Sequence, residues 1–172
     1  PLPTSEPQRQ QHCGSCTACL DICPTKAFDK AFVLDARKCI SYLTIENKGV
    51  IPVEYRKAMG NRIFGCDDCQ IICPWNKFSQ PTQETDFTPR HGLADADLIA
   101  LFLWSEEAFL KNTEGSAIRR AGYENWLRNI ATALGNAKTS LEIISALQSR
   151  LSYSDKVDEH ILWALQQHKP HK

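Results

Sequence analysis

Eight cysteines fall within the first 73 positions of this 172-residue chain, and their spacing points to their chemistry. The run Cys13-Gly14-Ser15-Cys16-Thr17-Ala18-Cys19-Leu20-Asp21-Ile22-Cys23-Pro24 reads C-x2-C-x2-C-x3-C-P. Thiolates two residues apart on a tight loop grip three corners of one iron–sulfur cubane. The fourth sits one residue further along, before a proline that turns the chain away. It misses the last corner and points to a second cluster. The motif therefore predicts two clusters and demands ligands from elsewhere.

Downstream, Cys39 stands alone, and Cys66-Asp67-Asp68-Cys69-Gln70-Ile71-Ile72-Cys73-Pro74 reads C-x2-C-x3-C-P. Eight thiols are what two 4Fe-4S cubanes require. The crossing rule assigns Cys13, Cys16, Cys19 and Cys73 to the first cluster and Cys23, Cys39, Cys66 and Cys69 to the second. In an ordinary two-cluster ferredoxin the second run carries its own first cysteine. Here Cys39 replaces it from far upstream, so the second half is stretched by an insertion. Zinc also takes four-cysteine sites built on C-x2-C pairs. Successive x2 steps closed by Cys-Pro, with x3-Cys-Pro repeated later, are not a zinc-ribbon pattern. A disulfide framework is disfavoured because the cysteines are confined to one half of a chain long enough to fold on an apolar core.

The elements that must hold these loops can be read from pattern. Residues 31–35 are a short strand after the first Cys-Pro. Asp35 caps a helix over residues 36–44 that carries Cys39. Residues 45–49 break it, and Pro52 opens a helix over residues 53–59 that Gly60 ends. Residues 79–92 are polar with two prolines and read as a linker. Beyond them come five helical stretches, at residues 95–103, 105–111, 116–134, 139–151 and 154–167; the first two start on an acidic or hydroxyl cap with apolar spacing of three and four, and the third is the longest amphipathic one. In the fourth, Leu141, Ile144, Leu147 and Leu151 share a face. The fold class expected is α+β, mostly α: a bacterial-ferredoxin-like two-cluster domain over residues 13–78, then a HEAT-like α-helical domain over residues 93–172.

Within the helical half, the stretch from Ile118 to Asn129 is the most specific. Arg120 and Arg128 are two turns apart on one helix, with Arg119 and Tyr123 alongside, a disposition suited to phosphate contact and base stacking. The plainer reading makes Arg128 and Asn129 bridges to neighbouring helices, with Trp126 and Leu127 in the core. His160, His168 and His171 read as surface residues, and His91 lacks neighbours that would make it a ligand. Asp67 and Asp68 either lower the second cluster's potential by charge or cap a short helix.

Composition narrows the class further. Lysine plus arginine equals aspartate plus glutamate at 20 each, so any nucleic-acid surface is local. Hydrophobic content of 42% and charged content of 23% are those of an ordinary globular chain. No apolar run has the length of a membrane span and no signal pattern opens the sequence, which points to the cytoplasm. Pro1 in place of methionine implies a processed or truncated piece, with residues 1–12 a linker from a missing N-terminal domain.

Taken together, the first cysteine run, KCISYLTIE (residues 38–46), FGCDDCQIICPWN (64–76), LRN (127–129) and ALGN (133–136) occur in an order that resembles the C-terminal part of the epoxyqueuosine reductases. The resemblance covers residues 13 to about 136, and the last helices match only loosely. It implies a cobalamin-dependent enzyme that reduces the epoxide of epoxyqueuosine in tRNA to the alkene of queuosine. An external low-potential donor feeds electrons through the clusters to the cobalt. It places the cobalamin-binding fold and the proton donor in an N-terminal part that this chain lacks. No catalytic residue is therefore expected here, and the chain alone should not turn over. It implies that the turns around Ser41 and Gly65 touch the cobalamin ring, that Arg119, Arg120 and Arg128 contact tRNA, and that the protein is a monomer. The competing readings are a free-standing two-cluster electron carrier and a reductive dehalogenase relative. Plain ferredoxins lack KCISYLTIE and the helical tail, and the Arg-Asn motif favours the tRNA enzyme over a dehalogenase.

Overall fold

The computed structural model describes residues 4–5 and 13–169, so most of the expected linker over residues 1–12, and His171, lie outside the described residues. The cluster half is built from short pieces. Helix α1 (Ala18–Ile22) carries Cys19 and ends where Cys23 turns extended ahead of Pro24. Strands β1 (Phe28–Lys30) and β2 (Val33–Leu34) form a small antiparallel hairpin. Helix α2 (Val53–Met59) starts after Pro52 and stops at Gly60, as the sequence predicts. Helix α3 (Asp68–Ile71) carries Cys69 and packs against α1. A small core of Ile40, Leu43, Ile51 and Met59 sits under these turns.

Two elements differ from expectation in ways that matter for the site. The helix expected over residues 36–44 is broken. Asp35 does cap, accepting from the Arg37 N–H at 3.1 Å, but only a 3-10 turn follows (Ala36–Lys38). Cys39 is then extended, and the chain re-coils into a wide π-type turn over Tyr42–Glu46. The break lets Cys39 leave the helical path and line a cavity. The helix expected over residues 116–134 is also two elements. A 3-10 turn (Ala117–Ala121) meets Gly122 at φ +81°, a backbone angle that glycine adopts without strain.

The helical half comprises α4 (Leu98–Phe102), α5 (Glu106–Asn112), α6 (Tyr123–Asn136), α7 (Leu141–Gln148) and α8 (Asp155–Gln167). Asp97, Ser105, Ser140 and Ser154 each accept backbone N–H bonds at the starts of α4, α5, α7 and α8, satisfying donors that helix geometry leaves free. The α7 face is rotated from the one predicted. Ile143, Ala146 and Leu147 are buried, while Leu141 is 81% exposed. Helix α6 is buried on nearly every side and lies closely against α8. A Cβ built on Gly135 would stand 2.6 Å from the Trp163 ring and 2.8 Å from the Ala164 Cα. Trp104, Phe109, Tyr123 and Trp126 form an aromatic chain through this core. No helix among the described residues is long and apolar enough to cross a membrane.

Candidate iron–sulfur centre and its interlock with the helical half

The cysteines gather around two cavities, and the partition follows the crossing rule. Cys23, Cys39, Cys66 and Cys69 line one cavity of about 60 Å3, with Pro24, Ala27, Phe28, Leu34 and Ile40 among its apolar walls. Cys13, Cys16, Cys19 and Cys73 line the other, of about 140 Å3, beside Pro74 and Trp75. Packing α1 against α3 is what exchanges the two Cys-Pro thiols between sets. Each cavity exceeds what one water needs, on the order of 10–15 Å3. Four thiols spread around an apolar void are a donor set that fits a cubane.

The two sets differ in environment. Cys13 and Cys16 are exposed, whereas all four thiols of the second set are half-buried. Burial pushes the Cys66 and Cys69 thiols above their ordinary range. The second set is also held by more of the chain. Ser41 Oγ accepts from the Cys66 N–H at 3.0 Å and lies 3.2 Å from the Cys66 carbonyl, to which it donates. Thr44 Oγ1 accepts from the Gly65 N–H at 2.9 Å and donates to the Ile40 carbonyl at 2.7 Å. Ser41 and Gly65, the expected cobalamin contacts, thus lie side by side, with the serine hydroxyl already engaged. Asp68 lines the second cavity and is paired with Arg62 at 2.6 Å, so its charge is offset beside the thiols. Asp67 instead accepts from the Gln70 side chain.

The residues expected to contact tRNA are not one face. Gly122 ends the turn bearing Arg119 and Arg120 before α6 begins. Both arginines are exposed, and Arg120 pairs with Glu46. Arg128 is 0% exposed, which removes it from any phosphate-binding set. Tyr123 is buried too, its hydroxyl donating to the Trp104 carbonyl at 2.5 Å, so it offers no stacking face. Arg128 uses all five of its N–H donors internally. They go to the carbonyls of Leu43, Asn47 and Gly49 and, twice, to Asn129 Oδ1. Asn129 Nδ2 takes the Thr44 and Ile63 carbonyls at 2.8 and 2.9 Å. Asn136, on the same helix, takes the Arg56 and Gly60 carbonyls at the end of α2. The Leu43, Thr44 and Asn47 carbonyls belong to the end of the π-type turn and those of Arg56 and Gly60 to the end of α2, where helical geometry leaves carbonyls free; Gly49 and Ile63 lie in the segments that follow.

Further contacts fasten α8. Arg56 is buried, donates to the Ile51 carbonyl at 2.8 Å and pairs with Glu159. His160, expected at the surface, is fully buried; its Nε2 accepts the Ile51 N–H at 3.0 Å and its Nδ1 donates to the Lys156 carbonyl at 2.7 Å. Burial lowers its pKa to about 3. His168 is likewise buried, between Thr139 and the Leu134 carbonyl. Sequence reasoning missed both histidines, because nothing in the periodicity of α8 separates a buried imidazole from an exposed one. His91 lies in the exposed segment.

Residues 12–76 match the family described as a 4Fe-4S double cluster binding domain. Along 98% of its length the chain is 59% identical to the epoxyqueuosine reductase of Pseudomonas aeruginosa. The chain spans about half the length of the curated relatives it matches, 47% in that case. It is similar in fold to the solved epoxyqueuosine reductase of Bacillus subtilis, with a TM-score of 0.81 and 32% identity over 96% of this chain and 45% of that one. It is also similar to an epoxyqueuosine reductase solved with an epoxyqueuosine-modified tRNA-Tyr stem loop, at a TM-score of 0.63 and 26% identity, covering 96% of this chain and 53% of that one.

Proposed function

The chain belongs to the epoxyqueuosine reductase family, and from that premise we propose that it is the electron-transfer and tRNA-docking part of such an enzyme. The reaction proposed for the whole protein is reduction of epoxyqueuosine in tRNA to queuosine. It proceeds with cobalamin and an external low-potential electron donor, in the cytoplasm and as a monomer. The carrying observation is the division of eight thiols into two crossed sets of four around separate cavities. When bound there, the clusters supply single electrons at low potential.

Residues 13–78 form the proposed ferredoxin-like domain, residues 79–92 its linker and residues 93–172 the proposed HEAT-like domain. The chain's own groups have three tasks. The cysteines hold the clusters: Cys13, Cys16, Cys19 and Cys73 the first, Cys23, Cys39, Cys66 and Cys69 the second. The half-buried edge bearing Ser41 and Gly65 faces the cobalamin by shape, since its polar groups are already engaged. Arg119 and Arg120, both exposed on the turn before α6, meet tRNA phosphates. Arg128 holds the two halves in register so that these surfaces keep a fixed relation.

Anaerobic iron and acid-labile sulfide analysis tests the foundation. Equal iron and sulfide, in the amount of two four-iron cubanes, is the result expected; zinc without sulfide overturns it. The tRNA assignment is tested by binding at several salt concentrations. Reversing Arg119 and Arg120 to glutamate should weaken binding and reduce the salt slope by about 1 for each phosphate no longer neutralised. Weak, salt-insensitive association of the parent chain would remove tRNA from the proposal.

A further inference from the structure

Cys23 is the Cys-Pro thiol that crosses to the second set, and the turn behind it aims two donors at its sulfur. Lys26, at φ +50°, closes that turn by donating its N–H to the Cys23 carbonyl at 3.2 Å. Lys26 Nζ braces it from outside on the Asp21 carbonyl at 2.8 Å. The reversal brings the Ala27 N–H to 3.3 Å from Cys23 Sγ and the Thr25 hydroxyl to 3.8 Å from it, within reach for an atom as large as sulfur. Both groups line the second cavity and are shielded, Thr25 at 7% exposure and Ala27 at 1%.

The direction of the hydroxyl bond follows from the chemistry of the ligand. As a free thiol, Cys23 could donate or accept. As a thiolate bound to iron it has no proton, so the Thr25 hydroxyl must donate. A hydrogen bond to ligand sulfur is worth more when the cluster carries one more electron, because the added negative charge spreads onto the sulfurs. Hydrogen bonds to the sulfurs are among the factors that set cluster potential. We propose that Thr25 is a positioning residue that raises the reduction potential of the second cluster, and of that cluster alone, by donating its hydroxyl to Cys23. This rests on the two-cluster reading above and adds to it a residue outside the cysteine motif.

The first cluster is the internal reference. Its thiols, Cys13, Cys16, Cys19 and Cys73, line a separate cavity that Thr25 does not touch. The test is a redox titration of the reconstituted full chain, resolving the two one-electron potentials by paramagnetic resonance, in the parent and in Thr25→Val, Thr25→Ala and Thr25→Ser. Valine keeps the branched shape without the donor, alanine removes the donor without adding a methyl, and serine keeps the donor. The result expected is a negative shift of one potential in Thr25→Val and Thr25→Ala, an unmoved second potential, and a return to the parent value in Thr25→Ser. Unmoved potentials in whichever donor-less variant retains parental iron and sulfide would overturn the role of Thr25 while leaving the two-cluster reading intact. So would equal shifts of both potentials. Zinc or sulfide-free iron in the parent would overturn the cluster reading, and this inference with it.

Discussion

Arg128 and its chain neighbour Asn129 are locked together by two bonds, from Nε at 3.1 Å and Nη2 at 2.8 Å, both to Asn129 Oδ1. This fixes the amide so that its Nδ2 faces the other way, onto the carbonyls of Thr44 and Ile63. The pair thus holds both sides of the second thiol set. Thr44 lies five residues after Cys39, and Ile63 lies three residues before Cys66. Thr44 itself carries the hydroxyl that anchors Gly65.

Arg128 is a buried cation that pairs with no carboxylate among the described residues, and burial lowers its pKa to about 10, so it remains charged at neutral pH. Its charge is met by carbonyl dipoles. Arg128→Met leaves the Leu43, Asn47 and Gly49 carbonyls without this donor. A loss of about 3–5 kcal/mol in unfolding free energy is expected, as for breaking other buried charged networks. Arg128→Lys keeps the charge but offers three donors in place of five, so it should also destabilise, by less. Denaturant unfolding of the three proteins checks the order; a neutral Arg128→Met would contradict the clamp.

The cysteine partition was legible in the sequence because it rests on local spacing, and two short helical turns reproduce that spacing in space. The caps at Asp35 and Ser105 were legible for the same reason. For Arg128 the plainer reading, a bridge to neighbouring elements beside a buried Trp126 and Leu127, is the one the structure bears out, though its partners were not readable; the roles of Tyr123 and His160 were not legible. Each is decided by what lies across an interface, tens of residues away in the chain, and helix periodicity says nothing of that. The Gly122 break was visible as a glycine inside an apolar pattern, and reading the pattern through it placed Arg120 and Arg128 on one face. A polar Arg-Asn pair inside the apolar run from Trp126 to Leu134 was the available sign of a buried network.

Gly135 marks the closest approach of α6 and α8. A methyl there meets the Trp163 ring, which could turn, but also the Ala164 Cα and Cβ at 2.8 and 2.9 Å, which are fixed to the backbone. Gly135→Ala should therefore destabilise by about 1–3 kcal/mol, despite alanine's better helix propensity. Thermal unfolding checks the sign; a raised midpoint would show that the helices can part at no cost.

His160 makes the interlock sensitive to acid. Its folded pKa of about 3 lies below the ordinary 6.5, so it is the neutral ring that the fold holds. Between those values the unfolded chain binds a proton that the folded chain refuses. The stabilisation is complete above pH 6.5 and falls as pH drops, by about 1.4 kcal/mol per unit for one group. The Glu124 carboxylate, held below 4.5 by its bonds from Lys156 and Ser154, adds loss of the same sign only at lower pH. His160→Gln should flatten the profile between pH 6.5 and 4.5, as read from denaturant midpoints. An unchanged slope would place the titrating group elsewhere.

Ser41 holds Cys66 through that residue's own N–H and carbonyl, so the serine acts on one ligand of the second set and none of the first. Ser41→Ala removes both bonds and leaves a half-buried peptide with weaker partners, at a cost of about 1–3 kcal/mol confined to that loop. Because Cys39 lies two residues away, the same loss loosens the joint placement of two thiols around one cavity. The measurable consequence is kinetic: under a chelator, iron should leave in two phases, with only the phase from the second cluster accelerated in Ser41→Ala. Ser41→Thr, which restores a hydroxyl, should return that phase towards the parent rate. Acceleration of both phases alike would mean that the substitution loosens the fold as a whole, and that Ser41 has no particular hold on Cys66.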